Sequence, residues 1–372
     1  MRSKIVIDGL SLLSPLTGVG RYNYEIASRL EIYNKLDLNY FYGYYSKKLI
    51  QTHQNPRLKN LKAIIKKIPL AKKISRKILM LLSRFYTKTY DVYWQPNFIP
   101  LEEIKAKKVV TSVHDFSSIL HTEFHPKERV EYFKEYFFKN IKRSDLIICF
   151  SEFTKKEVLK YFDFQDNQVK VIYHGVKEDF LKNTNNIKLN FEIPKKFILS
   201  VGSIEPRKNL IGLLKAYNSL DENLKKEYKL VLVGFKGWEN KQIMKLIDQN
   251  KDNIHYLGFI TDTELAKVYN LATCFVYPSF YEGFGLPPLE AMACGTPVVS
   301  SNLTSLPEVC GEAVLYCNPT DDNDIKNQIE KILTDKKLQK ELIAKGLKQS
   351  QKFSWEKSAI AHQNILLNIT KI

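Results

Sequence analysis

Cysteine is scarce and unpatterned in this chain. Cys149, Cys274, Cys294, Cys310 and Cys317 are all there are, and no CxxC pair occurs. An odd, scattered set argues against a disulfide framework and a cysteine-based zinc site, and fits a reducing cytoplasm. Long apolar runs are missing as well. No stretch approaches the ~20 residues that span a bilayer. The first apolar run, Ile5 to Ile7, meets Asp8 far short of a secretory h-region. Acid is absent where cations gather: positions 47–90 hold thirteen Lys or Arg and no Asp or Glu.

What is present is a long, soluble-looking and basic chain. Its 372 residues are too many for one ordinary core, so two domains are expected. A hydrophobic fraction of 44% and a charged fraction of 26% are those of a globular protein. The net charge of +17 implies an anionic partner: nucleic acid, anionic lipid or a phosphorylated substrate. Within the acid-free stretch, Ile74, Ile78, Leu81, Leu82 and Phe85 fall at helical spacing among Lys72, Lys73, Arg76, Lys77 and Arg84. A basic amphipathic helix of this kind suits an anionic membrane surface. The alternative is a solvated helix with its apolar face on the core. No nucleic-acid motif accompanies the charge, so nucleic acid is not expected as a partner.

Apolar runs ending in polar loops recur along the chain. Lys4 to Gly9 leads to a loop with Gly18-Val19-Gly20 and a helix from about Arg21. Lys108 to Val113 leads to His114-Asp115, and Leu146 to Phe150 to Ser151. Around 182–196 the pattern lapses into a polar stretch and then restarts. Phe197 to Val201, Lys229 to Val233, Ile254 to Leu257, Cys274 to Tyr277 and Pro297 to Ser300 read as strands with helices between them. Alternation of this kind predicts an α/β protein of two doubly wound domains with parallel sheets. The expected division is 1–185, 186–352 and a C-terminal helix in 353–372 that packs back on the first domain. Ligands of open parallel sheets bind beyond the carboxyl ends of the strands. That puts the polar loops on a shared cleft.

Two segments carry the chemistry. In PSFYEGFGLPPLEAMACGTPVV, Pro278 to Val299, a strand ends, a glycine loop holds Glu282, and a helix opens near Pro287 with Glu290 in its first turn. Gly283 and Gly285 allow close backbone approach. A helix start attracts phosphate. A loop carboxylate can accept sugar hydroxyls or stabilise cationic charge at an anomeric carbon, and one on the helix can accept both ribose hydroxyls. The plainer readings are a solvated loop acid for Glu282 and dipole compensation for Glu290. In VGSIEPRKNL, Val201 to Leu210, Arg207 and Lys208 follow a strand and suit a diphosphate leaving group. Ser151 reads as a helix cap, and Ser305 with Glu308 as a capping box. His121 and His125 lack a cysteine or acidic partner at ligand spacing, so no metal is expected.

The E-x7-E pattern from Glu282 to Glu290, with AMACGTPVV and SLPEV after it, resembles the signature of retaining family 4 glycosyltransferases of GT-B fold. The resemblance covers 197–320 strongly and the first domain weakly but in order. It implies two Rossmann-like domains facing a cleft. It also implies that Glu282 and the backbone of Gly283, Phe284, Gly285 and Leu286 hold the donor sugar and phosphates. Glu290 would hold the ribose, Arg207 and Lys208 the diphosphate, and His114 would lie near the donor sugar. Gly18 and Gly20 resemble the family's glycine-rich loop; as a dinucleotide fingerprint they fail, since Asn23 stands where a third glycine would be. Ser203 stands where many relatives carry Arg. The family pattern carries no metal, and no cofactor beyond the nucleotide sugar is expected. EPRKN looks most like bacterial mannosyltransferases of O-antigen synthesis. The implied function is retaining transfer of a hexose, best guessed as mannose from GDP-mannose, to a lipid-linked glycan of a surface polysaccharide. The implied place is the cytoplasm, at the periphery of the inner membrane. The alternatives are a UDP-sugar transferase or epimerase of the same fold, and a non-enzymatic nucleic-acid- or membrane-binding protein.

Overall fold

The structure, a computed structural model, describes residues 2–13, 18–50, 89–181, 184, 186–238 and 240–371. The basic helix expected within 64–85 lies outside the described residues.

Two sheets organise the chain. The first runs in the order β3-β2-β1-β4-β5-β6-β7. Its strands are β1 Lys4–Asp8, β2 Asp37–Phe41, β3 Tyr45–Ser46, β4 Tyr90–Gln95, β5 Ala106–Val113, β6 Leu146–Cys149 and β7 Val169–Val171. Only the short β2–β3 pairing is antiparallel. The second runs β10-β9-β8-β11-β12-β13 and is parallel throughout. Its strands are β8 Phe197–Val201, β9 Lys229–Val233, β10 Ile254–Gly258, β11 Cys274–Tyr277, β12 Val298–Ser301 and β13 Leu315–Cys317. The apolar runs FILSV of β8 and CFVY of β11 are buried along their whole length. A strand in the middle of a parallel sheet is covered on both faces, so it reads as a continuous apolar run.

Helices join and cover the strands. In the first domain they are α1 Gly18–Tyr33, α2 Ser117–Leu120, α3 Lys127–Asn140 and α4 Glu152–Tyr161. In the second they are α5 Leu210–Asn218, α6 Glu222–Glu227, α7 Lys241–Gln249, α8 Asp262–Leu271, α9 Leu286–Ala293, α10 Leu306–Cys310, α11 Asp322–Thr334 and α12 Lys336–Ser350. Thr261 and Glu264 form a capping box at the start of α8. One expectation needs correcting. Gly18 to Gly20 is not a loop before a helix at Arg21; it is the first turn of α1. Each glycine costs about 1 kcal/mol against alanine in a helix. Tyr22, Ile26, Ala27 and Leu30, all buried on the face below, outweigh that.

In each sheet the chain winds outward one way and then returns to the other side. The order therefore reverses between β1 and β4, and again between β8 and β11. Such switch points open a crevice at the carboxyl ends of the strands. The segments after β8 and after β11 meet at the second of these places.

The last helix, α13 Trp355–Asn368, leaves the second domain and packs on α1. The Tyr22 hydroxyl lies 2.6 Å from His362 Nε2 and 2.8 Å from Ser112 Oγ. Tyr33 donates to Glu356, and Val176 bridges to Ser354. Gly175 is obligatory at this crossing: a Cβ there would lie 2.0 Å from the Trp355 backbone nitrogen. Gly175→Ala is therefore expected to destabilise by about 1–3 kcal/mol. In a thermal melt that is a loss of roughly 2–4 °C per kcal/mol; an unchanged Tm would mean that α13 is not seated here.

Candidate functional site

Glu282 lies at the β8/β11 switch point and is almost fully buried, at 7% exposure. Its Oε1 accepts hydrogen bonds from Lys208 Nζ at 2.6 Å, Ser279 Oγ at 2.6 Å and the Tyr277 hydroxyl at 2.9 Å. Its Oε2 lies 3.0 Å from Arg207 Nη1. Burial alone would raise its pKa; Arg207 and Lys208 more than offset that and hold the carboxyl at about 2. It is thus a fixed anion with both oxygens engaged, not a proton carrier. Arg207 is braced in turn. Its Nη1 donates to Tyr281 O at 2.7 Å and its Nη2 to Glu205 Oε1 at 2.9 Å. Ser203 donates to Glu205 Oε2 at 2.7 Å and so steadies the acid that holds Arg207. Asn209, in the left-handed region at φ 53°, caps α5 and turns the chain after Lys208.

Glu290 is the fifth residue of α9, one turn further along than expected because the helix already begins at Leu286, and it is also buried. Arg21 Nη1 of α1 reaches it across the cleft at 3.0 Å, and the Tyr269 hydroxyl donates at 3.4 Å. Arg21 Nη2 bonds Asp262, which also pairs with Lys177. Two cations of the first domain thereby face two acids of the second. Burial outweighs Arg21 at Glu290 and pushes its pKa up to about 7, whereas Asp262, nearer solvent, is held low by Arg21 and Lys177. Proline at 287 and 288 removes two N–H groups from the first turn of α9. The anion-attracting helix start expected there is correspondingly reduced, and backbone donation falls to Gly283 through Leu286.

On the opposite wall, His114 ends β5. Its Nε2 lies 2.8 Å from Pro96 O, which fixes that nitrogen as the donor and leaves Nδ1 as an acceptor. Packed among Tyr22, Phe98 and Phe150, the ring is pushed down by burial to about 4 and is neutral at pH 7. Asp115 does not orient it. Asp115 Oδ1 accepts from Ser117 N at 2.9 Å and Ser117 Oγ at 2.7 Å and caps α2. The two walls touch at Gly283, where a Cβ would lie 1.8 Å from His114 O. Ser151 Oγ donates to Gly283 O at 2.8 Å. The close approach that Gly283 permits is thus to the first domain. Gly285, at φ 110°, turns the chain into α9. Phe284 packs on His174 and Phe353, and Gly18 begins α1 with open space around its Cβ position.

Several partners were not visible in the sequence. Arg21, Tyr269 and Asp262 surround Glu290, while Tyr277, Ser279 and Glu205 complete the Glu282 network; only their spatial neighbours reveal them. Ser151 does cap α4, through Thr154 N, and serves Gly283 as well. The capping box assigned to Ser305 and Glu308 is a correction. Ser305 Oγ instead donates to Glu282 O at 2.8 Å and Phe284 O at 2.9 Å. Glu308 accepts from Glu152 N at 2.7 Å and Phe153 N at 3.1 Å, capping α4 of the other domain. Local spacing matched the motif, but carbonyl acceptors of the Glu282 loop took the Ser305 hydroxyl and backbone donors across the cleft took Glu308. Among the described residues no group of three His, Cys, Asp or Glu could hold a metal.

The raised Glu290 has a thermodynamic consequence. An acid with a folded pKa near 7 and an ordinary unfolded value stabilises most below the unfolded value, and that contribution is lost as pH rises through 7. Relative to Glu290→Gln, the wild type should therefore lose stability from pH 5 to pH 8. Glu157, also pushed to about 7 by burial, acts in the same sense in both proteins, and the histidines His114, His125 and His362, held down to about 4 by burial, act in the opposite sense in both. Melts of both proteins across that range test it; an identical slope in the variant would remove Glu290 as the titrating group.

With this geometry in view, the likenesses to known proteins are consistent. The family model "Glycosyl transferases group 1" matches residues 182–349, and "Glycosyltransferase Family 4" matches residues 16–180. The chain is 33% identical over 374 aligned residues to an Escherichia coli protein named O-antigen chain mannosyltransferase B, covering 95% of this chain and 96% of that one. Among solved structures, sucrose-phosphate synthase of Thermosynechococcus elongatus superposes with a TM-score of 0.71 at 18% identity, covering 99% of both chains. Anabaena HepE, solved with UDP and glucose, gives 0.69 at 16% identity over 98% of this chain and 99% of that one. Both are too distant in sequence to show more than the fold. Two parallel-sheet domains meeting at their switch points, with both family models matched in order, make this chain a member of the group 1, family 4 glycosyltransferases, of GT-B fold.

Proposed function

We propose that the protein transfers a hexosyl group, with mannose from GDP-mannose favoured, to a lipid-linked glycan during O-antigen or related surface-polysaccharide synthesis, with retention of configuration. The observation that carries the reading is the fixed Glu282 anion bound to Arg207 and Lys208 at a switch point. The mannosyl and O-antigen parts lean on the 33% identical relative that bears that name.

In this reading the cleft receives the nucleotide sugar with its diphosphate at Arg207 and Lys208. As the glycosidic bond breaks, negative charge grows on the departing diphosphate, and preorganised cations stabilise that change more than they stabilise the bound donor. The anomeric carbon becomes cationic at the same time. Glu282, ionised and held by two cations and two hydroxyls, is an electrostatic partner for that charge and for sugar hydroxyls. Its engaged oxygens make it a poor covalent nucleophile, which favours attack by the acceptor hydroxyl from the leaving-group side. Neutral His114 offers the sugar a hydrogen-bond acceptor at Nδ1, not a proton. Glu290 binds the ribose once Arg21 yields part of its hold. The basic segment 47–90 supplies the attraction to anionic lipid. No described helix is long and apolar enough to cross a membrane, so the association proposed is peripheral.

Thermal melts with GDP, UDP, dTDP, ADP and CMP in turn test the donor. A ligand at 100 times its Kd adds about 2.7 kcal/mol, so one diphosphate should raise Tm clearly above the others, GDP on this proposal. Absence of any shift, joined to a shift with DNA or lipid vesicles, would favour the non-enzymatic alternatives. Glu282→Gln keeps the hydrogen-bonding shape and removes the anion; transfer from the preferred donor should fall by about 100- to 1,000-fold. Glu282→Ala is the poorer test, because it takes away the hydrogen-bond acceptor of Lys208, Tyr277 and Ser279 as well as the charge.

A further inference from the structure

Arg129, in the first turn of α3, is a half-buried cation on the first domain's wall of the cleft. Its guanidinium carbon lies 5.3 Å from the Trp238 ring centroid and 5.9 Å from that of Phe133. Among the described residues no carboxylate oxygen lies within 4.0 Å of it, and its side chain makes no hydrogen bond. This sets it apart from its neighbours. Arg207 is taken by Glu205 and Glu282, Lys208 by Glu282, and Arg21 by Glu290 and Asp262. A charge so withdrawn from water is ordinarily paired.

The surroundings say where this cation stands. Trp238 belongs to the loop after β9, which is laced to the loop leading into Arg207. Ile204 N donates to Phe235 O at 2.8 Å, and Gly237 N to Ile204 O at 3.1 Å. Trp238 Nε1 crosses the cleft to donate to Phe124 O. His125, four residues before Arg129, lies with its ring 5.4 Å from Trp238. Its Nε2 contacts Ser117 Oγ at 2.9 Å, and among the described residues its buried Nδ1 has no hydrogen-bond partner. Asp115, Glu205 and Arg207 are near enough to act on Arg129 through their charge. The nearby acids are already engaged: Asp115 with Ser117, and Glu205 with Ser203 and Arg207. What the wall presents is a flat guanidinium backed by an indole, with its donors free, beside the diphosphate loop.

We propose that Arg129, supported by the Trp238 ring, is a phosphate-binding subsite that takes a diphosphate group facing Arg207. A planar fork held against a ring is suited to two-point contact with phosphate oxygens. The inference rests on the transferase reading above. It adds a cation from the acceptor-side wall, outside the E-x7-E and RKN segments. The diphosphate has two possible sources with one chemistry: the donor's own leaving group, or the diphosphate of a lipid-linked acceptor.

Calorimetric titration of the full chain with inorganic pyrophosphate, GDP and farnesyl diphosphate, each for the wild type, Arg129→Gln and Arg129→Lys, tests it. Loss of a charge-assisted contact predicts pyrophosphate binding weakened about 10- to 100-fold in Arg129→Gln. Arg129→Lys, which keeps the charge and loses the fork, should fall between. GDP weakened in parallel assigns the donor's diphosphate. Farnesyl diphosphate weakened with GDP unchanged assigns the acceptor's. All three probes bound equally by wild type and Arg129→Gln would overturn the subsite while leaving the transferase reading intact. Neither GDP nor pyrophosphate bound by either protein would overturn the subsite together with the GDP-linked donor. A ligand-free melt shows whether Arg129→Gln is folded; if it is not, the comparison of wild type with Arg129→Lys separates the same outcomes.

Discussion

A carboxylate buried as deeply as Glu282 remains ionised only where cations reach it, and here two do, from a single turn that follows β8. Much of the second domain's local architecture serves that meeting. The left-handed Asn209 sends the chain from Lys208 directly into α5, and β11 ends so that Tyr277 and Ser279 face the same oxygen. Ser305 and Thr304 hold the Glu282 backbone from the other side. Desolvation penalises every charge in this cluster, and removing any one would leave its partners uncompensated. The cost is met by mutual pairing in the ligand-free protein, which makes the site preorganised before any substrate arrives.

The second constraint is the closeness of the two domains. Gly283 abuts the His114 carbonyl, Ser151 bonds the Gly283 carbonyl, and Glu308 caps α4 from across the cleft. Arg21 and Lys177 pair with Glu290 and Asp262 at the other end of the cleft. These contacts are polar and partly buried, and they differ from the seam that α13 makes with α1 and β4, where the buried rings of Tyr22, Trp94 and His362 pack together. Pairs of this kind exchange readily for ligand groups of like charge and hydrogen-bonding capacity. Apolar packing does not. The molecule therefore combines a permanent tie through α13 with polar contacts at the place where substrate must enter.

The strands were legible because each central strand of a parallel sheet is apolar on both faces and ends at a polar loop, and β8, β9 and β11 fall where the runs of FILSV, KLVLV and CFVY do. The first turn of α1 was not, since two glycines argue locally for a loop and only the buried face beneath argues for a helix. Ser305 and Glu308 failed for the opposite reason: a good local motif was overruled by hydrogen-bond partners distant in sequence.

The sequence by itself determined the alternation of strands and helices, the spacing of Glu282 from Glu290, and the adjacency of Arg207 and Lys208. Each is a property of neighbouring residues, fixed by the periods of strand and helix. Tertiary structure alone decided that Arg207 and Lys208 grip Glu282, that Arg21 holds Glu290, that His114 is neutral, and that Arg129, among the described residues, has no carboxylate at ion-pair distance. These depend on burial and on contacts between residues as far as 269 positions apart, as for Arg21 and Glu290. Whether a charge is paired, and what that pairing costs, is set by what lies around it in space.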